Sequence, residues 1–343
     1  MKILIVQPML TSYRLSFFQS LFDFYGCRLC VYYSLGSMGL LTELYRPKWG
    51  HCLGNVSCLG GVFIQWGTGK IAIKRNDILV LSGNPRYLSN LMLLAKARLC
   101  GAKVVWWGHY MSASSKRWRK VLRFIPMTLS NCLLFYTDRE IEKFKADFLA
   151  PSRLLPSFAL NNAIDTSQIE RLRHRYAPSE RAQIILFIGR VTKKACLDVL
   201  FQALQIVKGD KPSLHIIGDG DQVGSLKELA AELSIDHAIV WHDAMVCENA
   251  ISKIANRARI FVYPGSVGLS LIHAMAYGLP AILHDSEREQ MPEFSAFSDG
   301  KTGLTFSYSD PTSLADKISK LMANDTLLRE FSNNSTELLS STF

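Results

Sequence analysis

The sequence predicts an α/β protein built as two Rossmann-like domains, each a parallel sheet covered on both faces. Three observations lead there. From Ala182 onward, short apolar runs (Ile184 to Ile188, Leu214 to Ile217, Ile239 to Trp241, Ile260 to Tyr263) end in turn residues and alternate with segments of helical spacing. The first half opens in the same way, with KILIV at Lys2 to Val6, DILVL at Asp77 to Leu81 and KVVWW at Lys103 to Trp107, all too continuously apolar for a sheet with one wet face. The length of 343 residues, with 48% hydrophobic and 20% charged, suits two globular domains of ordinary size.

Taken in order, KILIV is followed by a helix through Leu15, Phe18, Leu21 and Phe22, opened by Tyr13 and Arg14. Arg28 to Tyr33 alternates as a strand, which sends the sulfurs of Cys27 and Cys30 to opposite faces and speaks against a metal or redox pair. The eight cysteines, spread singly, read as reduced and mostly buried. Ser34 to Gly69 has weak periodicity and many glycines, so no element is assigned. A helix over Tyr87 to Cys100 stops at Gly101, and the strand at Lys103 to Trp107 runs into Gly108-His109-Tyr110. His109 therefore sits just past a strand's C-terminal end, where open α/β sheets place ligands.

Next, SKRWRKVLRF (Ser115 to Phe124) sets Trp118, Val121, Leu122 and Ile125 on one helix face, surrounded by Lys116, Arg117, Arg119, Lys120 and Arg123. That pattern suits a helix lying on an anionic membrane, and equally one packed on its own domain by the apolar face. A strand at Cys132 to Tyr136 and a helix from Thr137-Asp138 complete the first domain. Arg153 to Thr166 reads as a last strand and an exposed connection, giving domains of 1–160 and 161–343.

The second domain centres on Arg259 to Leu283. Ile260 to Tyr263 form a buried strand ended by Pro264 and Gly265, Gly268 precedes a helix through Leu269, Ile272 and Ala276, and Gly278 and Pro280 stop it. Such a loop leaves N–H groups around Val267 to Leu269 pointing outward at a helix start, which attracts phosphate.

PGSVGLSLIHAMAYGLPAI resembles the donor-sugar signature of glycosyltransferase family four, usually E-G-F-G-L-x-x-x-E-A-M-A-x-G-x-P. Gly268, Leu269, Ala274, Met275, Ala276, Gly278 and Pro280 match, while Gly265 and His273 stand at the two glutamate positions. FIGRVTKKACLDVL resembles the family's G-R-L-x-x-x-K-G-x-D, with Gly189, Arg190 and Asp198 matching. Ala195 stands at the lysine position, so Lys193 or Lys194 is displaced from it. The resemblance implies the two-domain GT-B fold with an interdomain cleft, and a retaining transferase, a hexosyltransferase, that uses a nucleotide-diphosphate sugar. It also implies that Arg190 and Lys194 (or Lys193) bind the diphosphate beside Gly189. Gly265, Ser266, Val267, Gly268 and Leu269 cradle it, Gly218 and Asp219 of the G-D-G loop line the nucleotide pocket, and His273 faces the ribose. His109 contacts the transferred sugar or the acceptor, Arg14 is a candidate for an acceptor phosphate, and Asn161 to Asp165 resembles the family's N-G-I-D entry into the second domain.

Formal net charge is +10, with 21 Lys+Arg against 7 Asp+Glu in residues 1–157 and 18 against 22 in 158–343, so the excess (+14 against −4) lies in the first half. This suggests a membrane surface or a phosphate-bearing acceptor; no motif for nucleic acid accompanies it. Without a D-x-D pattern no essential metal is expected, and the only co-substrate is the sugar nucleotide. Ile260 to Leu283 lacks charge, but its prolines and glycines argue against a membrane span. The expectation is a cytoplasmic enzyme, peripheral at the inner membrane face through Lys116–Phe124, acting on a lipid-linked or surface-polysaccharide acceptor. A nucleotide-sugar epimerase of the same fold and a non-catalytic nucleotide-sugar-binding partner are the alternatives.

Overall fold

The structure, a computed structural model, describes residues 1–11, 14–34, 47–110, 117–147, 155–160, 166–176, 180–207, 211–245 and 247–342, without the side chains of 117–122 and 340–342. The chain divides into two compact units, Met1–Ala163 and Ile164–Phe343.

The first unit runs β1 (Ile3–Met9), α1 (Leu15–Tyr25), β2 (Leu29–Ser34), β3 (Gly50–Leu53), β4 (Val56–Leu59), β5 (Val62–Gln65), β6 (Ile78–Ser82), α2 (Leu88–Cys100), β7 (Lys103–Trp107), α3 (Arg117–Thr128), β8 (Cys132–Phe135), α4 (Asp138–Asp147) and β9 (Ser157–Ala159). Seven strands form one parallel sheet in the order β3-β2-β1-β6-β7-β8-β9. Successive side chains leave a strand on opposite faces. Leu4, Val6, Leu79, Leu81, Val104 and Trp106 accordingly enter one core, while Ile5, Val80 and Trp107 enter another with Phe18 of α1. Two buried faces explain the unbroken apolar runs.

Three expectations are corrected here. β2 does not alternate, since five of its six residues are buried, and Cys27 lies in a 3-10 turn before it. Cys27, Cys52, Cys58 and Cys247 are exposed, because β3 is a sheet edge, β4 belongs to a surface hairpin, and Cys27 and Cys247 stand in turns before their elements. The unassigned stretch holds β3 and the antiparallel β4–β5 hairpin, whose turn uses Gly60 and Gly61 at φ 57° and 81°. Both central residues at positive φ give the twist that two-residue hairpins need. Tyr13, residues 35–46 and 161–165, and the side chains of Lys116 to Leu122, including the apolar Trp118, Val121 and Leu122, lie outside what is described. At the end of that basic segment, Phe124 stacks on Phe144 and Arg123 donates to the Tyr110 carbonyl.

The second unit runs α5 (Thr166–Leu172), β10 (Ile184–Ile188), α6 (Leu197–Ile206), β11 (Ser213–Ile217), α7 (Val223–Glu232), β12 (Ile239–His242), α8 (Glu248–Ala255), β13 (Ile260–Tyr263), α9 (Leu269–Ala276), β14 (Ala281–His284), β15 (Gly303–Phe306), α10 (Pro311–Met322) and α11 (Asp325–Thr342). Its six strands are all parallel, in the order β12-β11-β10-β13-β14-β15. The order reverses between β10 and β13, the point at which open α/β sheets leave a crevice at their C-terminal edge. The last helices close the unit. α10 starts at Pro311 under Asp310, whose carboxylate accepts from Thr312 and Ser313 N–H. α11 packs on α9, close enough that a Cβ on Gly278 would lie 2.8 Å from Ser332 Oγ.

Candidate functional site

Three loops leave the C-terminal ends of adjacent strands β11, β10 and β13, and they touch backbone to backbone. The Gly189 N–H donates to Ile217 O (3.0 Å), Val191 N–H to Asp219 O (2.9 Å) and Ser266 N–H to Lys194 O (3.2 Å). Glycine permits this approach. A Cβ on Gly218 would collide with the Gly189 carbonyl, on Gly220 with that of Val191, and on Gly265 with that of Lys194. Asp219 turns its carboxylate onto the Gly220 N–H (2.7 Å) and so shapes its own loop. Over this platform Arg190, Lys193 and Lys194 are exposed. Lys193–Ala195 form a 3-10 turn that ends at Cys196 with φ 50°, an extra kink before α6.

Beside the platform, Gly268 starts α9 with no side-chain cap, so the first N–H groups of the helix lack intrahelical acceptors. One part of the expected phosphate cradle is corrected. The Val267 N–H donates to Gln290 Oε1 (2.9 Å), and Gln290 Nε2 donates to His284 O (3.1 Å). Ser266 Oγ donates to Glu289 O. The loop is thus braced from behind by Glu289 and Gln290, and its outward donors begin at Gly268. Tyr263 closes β13 with its ring over Gly189 and stacked on Phe187 at 4.8 Å. Burial pushes its hydroxyl up to about 12, against the opposing Arg190 charge.

His273, one turn into α9, is buried, and its Nε2 lies 2.9 Å from Glu248 Oε1 at the start of α8. Tyr277 donates its hydroxyl to the same oxygen (2.5 Å). Burial opposes ionisation of Glu248, yet the bonds from His273 and Tyr277 hold its carboxyl below the usual range. A carboxylate only accepts, so His273 Nε2 carries a proton.

In the first unit, His109 follows β7 as expected. Its Nδ1 is 3.3 Å from Glu140 Oε1 but not aligned as a hydrogen bond. Glu140 accepts instead from the N–H groups of Tyr110 (3.0 Å) and Tyr136 (3.1 Å). The His109 ring lies 4.3 Å from that of Tyr136. Arg14 donates to Gln7 Oε1 (2.7 Å) and Tyr136 OH (3.2 Å), with its guanidinium 4.7 Å over Trp107.

Residues 168–338 match the family described as Glycosyl transferases group 1. They form a group 1 glycosyltransferase domain. An uncharacterized 41.2 kDa protein in the cps region of Klebsiella pneumoniae is 27% identical over 166 residues, 44% of this chain and 41% of that protein. The lipopolysaccharide 1,6-galactosyltransferase of Salmonella typhimurium is 30% identical over 117 residues, 32% of each chain. The chain spans less than half the length of these curated relatives. Among solved structures, Anabaena HepE in complex with UDP superposes with a TM-score of 0.73 at 13% identity, covering 100% of this chain and 96% of that one. That likeness shows the fold, GT-B, for the two α/β units.

Within the glycosyltransferase domain the structure gathers Gly189, Arg190, Lys193, Lys194, Gly218, Asp219, Gly265, Ser266, Val267, Gly268 and Leu269 on neighbouring loops, with His273 one turn behind. His109 belongs to the other unit. Sequence reasoning missed Glu248, Gln290 and Tyr263. Tyr263 could have been found as the last residue of its strand, whereas nothing local marks Glu248 as the partner of His273.

Proposed function

We propose that the chain transfers a glycosyl group, a hexosyl group by resemblance, from a nucleotide-diphosphate sugar to a lipid-linked or surface-polysaccharide acceptor. It does so as a variant of glycosyltransferase family four with Gly265 and His273 at the two glutamate positions. The observation that carries this reading is the exposed Arg190, Lys193 and Lys194 standing over three glycine-packed loops at the strand-order reversal, next to the uncapped start of α9. As the bond from the anomeric carbon to the diphosphate oxygen breaks, negative charge develops on the leaving group. Fixed cations and helix N–H groups stabilise that charge without a covalent intermediate. The acceptor oxygen forms the new bond to the anomeric carbon, and its proton passes to the leaving phosphate. Retention follows the resemblance.

Two of the three departures from the family's pattern, the displaced lysines and Gly265, form one structural change. The turn at Lys193–Ala195 moves the lysines, and the Lys194 carbonyl then occupies the space that a side chain at Gly265 would need. A glutamate at 265 is therefore incompatible with this loop. The second missing carboxylate is replaced from outside, since His273 is held by Glu248, and its ring faces the ribose in this reading.

The acceptor is read from the relatives, one in a cps region and one a lipopolysaccharide galactosyltransferase. Action at the inner face of the membrane, through the basic Lys116–Phe124 segment, follows from the charge of the first half. No helix among the described residues is long and apolar enough to cross a membrane.

Thermal shift with UDP-, GDP-, ADP- and dTDP-sugars tests the donor site, because a ligand that binds only the native state raises Tm. One donor is expected to stabilise the wild type and not Arg190→Ala. If no sugar nucleotide does so at millimolar concentration, the donor reading fails. The loss of both glutamates also favours a second reading, a non-catalytic binder. It predicts the same shift, but no hydrolysis or transfer of the radiolabelled sugar with any lipid-linked acceptor tried.

A further inference from the structure

α9 has two ends. Its start faces the donor-side loops, and its C-terminal end, at the opposite edge of the sheet, borders a cavity of about 470 Å³. Arg173, Arg175, Arg181 and Arg329 line this cavity together with His174, and among the described residues no aspartate or glutamate does. Ser332, Asn333 and Thr336 present hydroxyl and amide groups from α11, and Tyr176 stands half exposed at its side.

Part of this cluster serves the fold. Arg173 donates to Ala276 O (3.2 Å) and Arg181 to Gly278 O (3.3 Å), which satisfies carbonyls at the end of α9. That role leaves much unexplained. Arg181 is only 8% exposed, and its Nε is buried without a hydrogen-bond partner among the described residues. An unpaired buried donor on a charged group is costly, so such groups are normally satisfied. The side chains of Arg175 and Arg329 make no hydrogen bond or ion pair among the described residues, although they add charge to the same space. Burial and the Arg173 charge hold Arg181 below its usual pKa, and burial and Arg175 do the same to Arg173 against the opposing charge of Glu170. The cluster repels itself, and a bound anion relieves that repulsion.

The segment is also fixed in place. Asn256, buried, accepts from the His174 N–H (2.8 Å) and donates to Leu172 O (2.9 Å), which anchors the chain just where it enters the cavity. The volume falls in the range of small-molecule sites. Four guanidiniums exceed the roughly two negative charges of one phosphate monoester. Planar guanidinium forks match phosphate oxygens in pairs.

We propose that this cavity binds a diphosphate group, at a site separate from the donor-side loops. The diphosphate belongs either to a free small molecule or to a lipid headgroup. The proposal does not rest on the transferase reading.

The test is calorimetric titration of the full chain with inorganic pyrophosphate in an Arg190→Ala background, which weakens competing binding at the donor-side loops. Saturable binding is expected, with inorganic phosphate weaker by about tenfold or more. Arg175→Gln combined with Arg329→Gln removes two exposed side chains and leaves the bonds of Arg173 and Arg181 to α9 in place, so the Tm should hold while pyrophosphate affinity falls about tenfold or more. Sedimentation with phosphatidylcholine vesicles carrying farnesyl diphosphate separates the sources. Co-sedimentation lost in the double variant assigns a lipid headgroup, and binding of pyrophosphate alone assigns a free ligand. The proposal is overturned if pyrophosphate gives no heat at millimolar concentration, or if the double variant binds it as tightly as its parent.

Discussion

Each unit contains one histidine facing one glutamate from the first turn of a helix, and the two pairs are built in opposite ways. Glu140 spends both oxygens on the backbone N–H groups of Tyr110 and Tyr136, so His109 merely lies near it, at 3.3 Å with 34% of its side chain exposed. Glu248 instead gathers the side chains of His273 and Tyr277 on one oxygen, and both members of that pair are largely buried, at 11% and 14%. A carboxylate anchored by the backbone fixes the loop and leaves the imidazole available to a ligand. One anchored by the imidazole fixes the imidazole. In the reading that the family resemblance implies, with His109 on the transferred sugar or the acceptor and His273 at the ribose, His109 is accordingly the adjustable group and His273 a positioned one.

The contrast can be broken one residue at a time. Glu140→Ala strands one buried and one part-buried N–H group and should cost the most, about 2–4 kcal/mol in urea unfolding. Glu248→Ala leaves the His273 N–H and the Tyr277 hydroxyl unpaired, and about 2–3 kcal/mol is expected, with Glu248→Gln recovering part by keeping an acceptor. A cost under about 0.5 kcal/mol for Glu248→Ala would show that the pair adds little to the fold.

Acid titration sharpens the same comparison. The folded-state pKa of Glu248 is depressed, so its contribution is complete above the unfolded value of about 4.3 and is lost as pH falls through the lower folded one. Before that, the facing His215 and His242 act. His242 Nε2 lies 3.0 Å from His215 Nδ1, and burial lowers both, helped at His215 by the charges of His242 and Arg257. The unfolded chain therefore binds more protons below about pH 6.5, and stability declines from there downward. His215→Gln should flatten this first decline, and Glu248→Gln the second. An unchanged profile in both variants would remove these groups as its source.

His109→Ala should be the mildest for the fold, within about 0.5 kcal/mol, because no hydrogen bond is lost. In the reading that the family resemblance implies, with His109 on the transferred sugar or the acceptor, it still lowers transfer by about tenfold, the value of one lost contact of roughly 1.4 kcal/mol, measured as kcat with a saturating donor. Equal losses of stability and rate would mean that His109 acts through the loop rather than on a ligand.

Much of this was legible in the sequence where the cause is local. Apolar runs of four or five residues marked most strands of both sheets, Gly101 and Gly278 marked helix ends, and Gly189, Gly218 and Gly268 marked the loops that leave strand ends, while β15, α10 and α11 were not assigned. The segment before Gly69 was not legible, because β3 is an edge with two exposed residues and β4–β5 is a short hairpin outside the main sheet. Cys52 and Cys58 misled for the same reason, and Cys27 and Cys247 because they stand in turns, where an apolar neighbourhood in sequence does not bring burial.

The sequence by itself determined the alternation of strands and helices, the positions of the loops and the cations on them, because these follow from turn chemistry and side-chain periodicity over a few residues. Only the tertiary structure decided that the Lys194 carbonyl fills the place of a side chain at Gly265, that Glu248 holds His273, and that Gln290 takes the Val267 N–H. Each of these is a contact between elements brought together by the parallel sheet, and no local preference along the chain encodes which distant group will arrive there. The four arginines around the end of α9 are of the same kind, since they come from three separate stretches and become a cluster only when α11 packs against α9.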